Sequence, residues 1–258
     1  MLPNTASVPD VIRAAFVLAL AVAQAAMAFW PDLRGGRHTI ASRSAALDTP
    51  VVPVGPTFAI WGPIFLSCAA FAAWQALPAN LADPLPRSIG WWAALLFAAN
   101  TVWEAWVPRR DLDRTSVGLI ALELGAALWL LFAVSRADLS GLRWWLVAFP
   151  FQLFAGWVSA AAFVNLSSTL RREREIGGAG SGVPDPRRTP VALALIGAAA
   201  ALALVVSSRV GAWPYALAVA WAFGGIALAN RSRPLVGGVG AALCAVLLVA
   251  AALAASRP

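Results

Sequence analysis

Apolar runs of about twenty residues alternate along this chain with short clusters of arginine, proline and glycine. A helix needs about twenty apolar residues to cross the hydrocarbon core of a bilayer. Read between this punctuation, the pattern predicts eight helical spans, near residues 11–30, 57–77, 89–107, 115–135, 143–169, 190–208, 211–229 and 235–255. The fifth run is long and is expected to continue past the bilayer toward Arg171. Pro53, Gly55 and Pro56 are expected to close the preceding loop and open the second helix, with Pro63 inside it. The fold class this implies is all-α, a polytopic membrane protein with about eight transmembrane helices.

Composition agrees with that class. Hydrophobic residues make up 60% of the 258 and charged residues only 12%, whereas soluble domains carry about 45–50% and about 25%. The net charge of +7 raises the question of nucleic acid. Every basic residue is an arginine, however, and they lie in separate loops rather than on one face, so no nucleic-acid partner is expected.

The arginines instead suggest an orientation. Arg34, Arg37, Arg43, Arg109, Arg110, Arg114, Arg171, Arg172, Arg174, Arg187, Arg188, Arg231 and Arg233 fall in loops on one side. Arg13, Arg87, Arg136, Arg143, Arg209 and Arg257 fall on the other. The richer side is expected to be cytoplasmic, which leaves both termini outside. Ala26-Met27-Ala28 looks like a signal cleavage site, but Asp10 and the absence of a basic residue before Arg13 argue for an uncleaved first helix.

The chain divides into residues 1–170, a charged and glycine-rich linker at 171–190 expected to be flexible and cytoplasmic, and residues 191–258. The last three spans are rich in Ala, Leu, Val and Gly. Small residues such as Gly237 and Ala241 permit close helix packing, so these spans read as scaffold and as candidates for homodimer formation.

Polar side chains inside apolar spans are costly, and each is a site candidate. Asn100, Trp103 and Glu104 share one face of the third span; Trp157, Ala161 and Asn165 form a stripe on the fifth. Glu123 lies about 12 Å along the fourth span at ~1.5 Å per residue. It is a candidate hydrogen-bond donor, arginine partner or proton-coupled group. With Trp61 in the first turns of the second span, these residues are expected at a similar depth, around an apolar pocket with a few polar groups. Glu104 is expected as an interfacial carboxylate near Arg109 and Arg110, and Trp91, Trp92, Trp106, Trp144 and Trp145 as an interfacial belt.

Other chemistry has little support. His38 reads as a solvated loop residue, and Cys68 and Cys244 as small apolar side chains, so no metal site is expected. GGAGSG is linker composition, and no catalytic residues are assigned.

At these positions the chain resembles the TspO/translocator-protein family, the tryptophan-rich sensory proteins. Pro53, Phe58, Ile60-Trp61 and Phe65 stand where that family's second helix carries its proline entry and F-x-x-V-W-x-x-L-Y-like segment. Asn100-x-x-Trp103 matches its L-N-x-x-W, and Trp157, Ala161 and Asn165 keep the spacing of its fifth helix, with Val164 for a leucine. The resemblance covers about residues 11–170 and implies a five-helix core with a three-helix C-terminal extension. The fifth helix lacks the tyrosine of the family's sterol motif, and Tyr215 is the chain's only tyrosine.

The resemblance further implies a receptor or sensor in a bacterial plasma membrane. It would bind a planar apolar ligand, a tetrapyrrole such as protoporphyrin IX or heme, with no obligatory cofactor. The expected ligand-binding set is Pro53, Phe58, Trp61, Asn100, Trp103, Glu123, Trp157, Ala161 and Asn165. Some members are linked to light-dependent porphyrin breakdown, but no acid–base pair here marks an enzyme. The alternative is a secondary transporter of a small hydrophobic or amphipathic molecule, with Glu123 as the proton-coupled group.

Overall fold

The computed structural model describes residues 6–33, 39–178 and 181–256. Among them are nine α-helices and no strand. They are α1 (Val8–Leu33), α2 (Ile40–Ala46), α3 (Trp61–Gln75), α4 (Pro84–Arg110), α5 (Arg114–Ser135), α6 (Gly141–Gly177), α7 (Thr189–Val210), α8 (Trp213–Ala229) and α9 (Pro234–Ala255). A 3-10 segment, Gly55–Ile60, runs directly into α3. Each predicted span falls on one long helix, and α2 is an additional short helix in the first loop. His38, Arg34 and Arg37 lie outside the described residues.

Six segments are long and apolar enough to cross a membrane: Val8–Trp30, Gly55–Ala76, Arg114–Ser135, Gly141–Gly177, Thr189–Val210 and Pro234–Ala255. The protein is therefore a polytopic membrane protein. Helix α4 has the length but less hydropathy, because Asn100, Glu104 and four tryptophans (Trp91, Trp92, Trp103, Trp106) dilute its aliphatic residues. Helix α8 is apolar but spans only 17 residues.

Local chemistry sets the ends. Asp83 caps α4, and Asp113 with Ser116 forms a reciprocal capping box at α5. Proline occupies the first turn of α4, α7, α8 and α9, where its missing N–H costs nothing. Gly211, at φ 63°, ends α7 in the left-handed conformation. Pro63 lies inside α3 as expected, but close to its start. It sits in the first turn of α3, because the chain from Gly55 to Ile60 winds as 3-10 and α3 starts only at Trp61. The expected linker also begins later. Residues 171–177 continue α6, where Arg171 and Glu175 pair one turn apart, and Arg174 donates to the Val183 carbonyl over 2.6 Å. In the loop beyond, burial acts to raise the Asp185 carboxyl. The Arg187 amide and the charges of Arg187, Arg174 and Arg171 outweigh it and hold the group below its ordinary range.

Helix α1 packs on α3 and α4, α4 on α5, and α5 on α6; α3 closes the ring against α6. Helix α6 is the most buried span. On its other side it meets α7 and α8, with α9 outside them. A Cβ at Gly156 would lie 2.4 Å from the Tyr215 carbonyl oxygen, so α6 and α8 cross almost backbone to backbone. The Tyr215 hydroxyl donates to Ser159 Oγ over 3.1 Å at the same crossing. The last three helices thus share an interior with the first five.

Candidate functional site

Where the 3-10 segment meets α3, α4 and α6, four aromatic side chains enclose a small hollow. The Trp61 indole is central. It stacks on Phe65 (ring centroids 5.2 Å, 13°) and meets Trp157 edge-on (6.0 Å, 80°) and Trp103 at a tilt (6.4 Å, 40°). Phe58 sets its edge against Trp157 at 5.9 Å. Pro53, Ala161, Val164 and Asn165, with Ile40 and Ser44 of α2 and Leu112, complete the wall. The free volume is about 20 Å³, room for a single water.

Seven of the expected residues therefore line one hollow: Pro53, Phe58, Trp61, Trp103, Trp157, Ala161 and Asn165. Asn100 and Glu123 do not. Asn100 faces α1, where its Nδ2 donates to Gln24 Oε1 over 3.1 Å. One helical turn separates it from Trp103, enough to point its side chain at a different neighbour. Glu123 is fully buried on α5, which packs against α4 and its equally buried Glu104.

Glu104 is a correction of its own. It is 2% exposed and no ion pair joins it to Arg109 or Arg110 among the described residues. Arg109 donates to the Ala105 carbonyl and Arg110 lies over the Trp106 ring, so both turn away along the helix end.

The electrostatics of the hollow are one-sided. The indole N–H groups of Trp61, Trp103 and Trp157 are all buried, and none has a hydrogen-bond partner among the described residues. Three unmet donors around one hollow are unusual, since buried polar groups are almost always paired. Asn165 is not free: its Nδ2 donates to Ser116 Oγ over 3.2 Å, which ties α6 to the start of α5. Among the described residues, no His, Cys, Met or Tyr lines the hollow, so none of these matches the usual axial ligands of a heme iron.

The surrounding frame is well tied. Arg43 of α2 donates from Nη2 to the Pro108 carbonyl over 3.0 Å and reaches Asp111 at 3.4 Å. Asn230 Nδ2 donates to the Pro50 carbonyl (2.8 Å) and Trp221 Nε1 to the Thr57 carbonyl (2.7 Å). Helix α8, expected only as scaffold, therefore holds the loop and 3-10 segment that form one wall.

The sequence reading missed Leu112, Ile40 and Ser44 on the wall, and Gln24 as the partner of Asn100. Gln24 is the lone uncharged polar residue in a long apolar run, a signal that was present. The α2 residues Ile40 and Ser44 carry no such signal, because a short loop helix leaves no periodicity.

Against models of protein families, residues 11–254 match the one described as TSPO-like protein. The match runs through the last three helices as well as the first five. No curated protein and no solved structure matches the chain.

Proposed function

The chain belongs to the TSPO-like protein family, and on that premise we propose that its aromatic box binds a tetrapyrrole as a membrane receptor or sensor. The family binds porphyrins and small hydrophobic ligands. The observation that carries the reading is the convergence of Trp61, Trp103 and Trp157, from two helices of the ring and the start of a third, with three unmet N–H donors. Indoles stack on a planar ring, and the free donors call for a ligand bearing acceptors inside its apolar outline. With no axial ligand among the described lining residues, protoporphyrin IX is the tetrapyrrole taken as the probe.

Ligand sites enclose about 300–1,000 Å³, so the box must open to admit one. Opening at α2 would break the Arg43 contacts to Pro108 and Asp111, and opening at the 3-10 segment the Trp221 bond to the Thr57 carbonyl. The reading also takes α4 and α8 as membrane crossings, since each packs along neighbours that qualify as spans.

In lipid nanodiscs, protoporphyrin IX is expected to quench tryptophan fluorescence saturably. Trp61→Phe, Trp103→Phe and Trp157→Phe combined keep rings and remove the donors, and are expected to weaken Kd at least about tenfold. Binding equal to the parent's in that triple variant would overturn the site.

The buried carboxyls Glu104 and Glu123, on the adjacent helices α4 and α5, favour a second reading, transport of a small hydrophobic molecule coupled to protons. No basic residue lies in α1 beyond Arg13, in α3, or in α6 between Arg143 and Arg171 to neutralise them. Ionisable groups at such depth mark proton relays in many membrane proteins.

A further inference from the structure

A second hollow lies on the other side of the 3-10 segment. It is an open, almost wholly apolar groove of about 540 Å³ between that segment, α8 and α9. Val54, Pro56 and Thr57 form one wall; Trp221, Cys244 and Ala245 stand opposite. Pro53, Phe58 and Trp61, from the same stretch of chain, face the aromatic box. One strand of 3-10 backbone is therefore the whole partition between groove and box.

That partition is thin by construction. A Cβ at Gly225 would meet Thr57 Oγ1 at 2.2 Å, so α8 presses directly on it. Its tethers to α8 are the Val54 amide on the Gly225 carbonyl (3.2 Å) and the Trp221 indole on the Thr57 carbonyl (2.7 Å). Short 3-10 stretches have poor hydrogen-bond geometry and often mark hinges.

The two hollows differ in the way a passage requires. The box is small, and α2, which lines it through Ile40 and Ser44, is latched through Arg43 to Pro108 and Asp111. The groove is open, and half of the Trp221 surface is exposed there. Its volume falls within the range of small-molecule sites. An apolar ligand dissolves in the bilayer, and of the two hollows the groove is the larger and the more open.

The geometry points to the groove as a second binding site, which takes the flat apolar ligand from the lipid and passes it across the 3-10 partition into the box. This rests on the box binding such a ligand. Pro56 and the Trp221 indole offer rigid surfaces to a planar ring, and the small residues Gly224 and Ala245 leave the floor open.

Cys244 makes the site testable. It lines the groove and is half-buried, whereas Cys68 is fully buried, so N-ethylmaleimide modification followed by mass spectrometry reads Cys244. In nanodiscs, protoporphyrin IX is expected to slow that modification at least about fivefold, in the parent and in the Trp61→Ala/Trp157→Ala variant alike. Ala245→Phe, which fills the groove, is expected to slow quenching of the box at least about tenfold while Kd stays within about threefold. Arg43→Ala, which frees α2, is expected to leave that rate within about twofold.

Equal modification of Cys244 with and without porphyrin overturns the proposal. So does equal protection of Val249→Cys in a Cys244→Ser background, because Val249 lies on α9 outside the groove and reports only porphyrin or lipid in the bilayer. A faster rate in Arg43→Ala with no slowing in Ala245→Phe places entry at α2 and overturns it as well. Protection of Cys244 without quenching at the box rejects the box and leaves the groove standing.

Discussion

Arg13 is 2% exposed, and both terminal nitrogens of its guanidinium are engaged, while Nε has no partner among the described residues. Its Nη1 meets Asp10 at 3.0 Å, and its Nη2 donates to the Leu81 carbonyl over 2.9 Å, while Arg87 binds the same carboxylate at 2.7 Å. The guanidinium reaches this place only because Gly90 of α4 has no side chain: a Cβ there would lie 2.5 Å from Arg13 Cδ. Gly90→Ala is therefore expected to push Arg13 off Asp10 and cost about 1–3 kcal/mol. Gly118 is the matched control, since a Cβ at that helical position meets nothing within 4 Å. Gly118→Ala should be neutral or stabilising by up to about 1 kcal/mol. Thermal unfolding in detergent reads both, and equal midpoints would refute the clamp. At this scale the sequence was informative about residue types and poor about partners. Trp61, Trp103, Trp157 and Asn165 were legible because indoles and amides are rare within an apolar span. That Asn100 turns to Gln24, and Glu104 inward instead of to Arg109, depends on which neighbour each face meets.

Helix boundaries were legible to within a few residues, since charge, proline and glycine mark both the ends of helices and the edges of a bilayer. What was hidden is the pairing between helices. The α4–α5 pair buries Glu104 and Glu123 on two helices that pack together, although 19 positions separate them along the chain. Both carboxyls keep oxygens without a hydrogen-bond partner among the described residues. If the protein couples transport to protons, this pair is where the proton is taken up and released. Proteoliposomes holding the parent are expected to accumulate an amphipathic porphyrin in response to a pH gradient. Glu123→Gln, which keeps the side chain's shape, should abolish that response while leaving protoporphyrin quenching within about threefold of the parent. Gradient-independent uptake by the parent would exclude coupling, and an unchanged response in Glu123→Gln would remove the carboxyl from it.

The composition of the last three helices suggested a boundary near residue 171, but contacts cross that boundary at several levels. Helix α8 meets α6 at Gly156, hydrogen-bonds Ser159 through Tyr215, holds the first loop through Asn230, and ties the 3-10 wall through Trp221. Each of these contacts joins residues more than 50 positions apart, so none could be seen as local periodicity. Removing α7–α9 would expose the small-residue face of α6 and leave the Pro50 and Thr57 carbonyls without their donors. In lipid, unpaired backbone carbonyls and lost packing are both costly. A chain ending at Gly177 is therefore expected to unfold well below the intact protein, with the box disordered and porphyrin quenching lost. Gly156→Leu in the full chain isolates the same interface, since any side chain there collides with the α8 backbone, and should cost about 1–3 kcal/mol or more. A truncated protein that stays monodisperse, melts at the parent's temperature and binds protoporphyrin IX as tightly would show that the five-helix ring stands alone. The last three helices would then be an attachment to the box and no part of its wall.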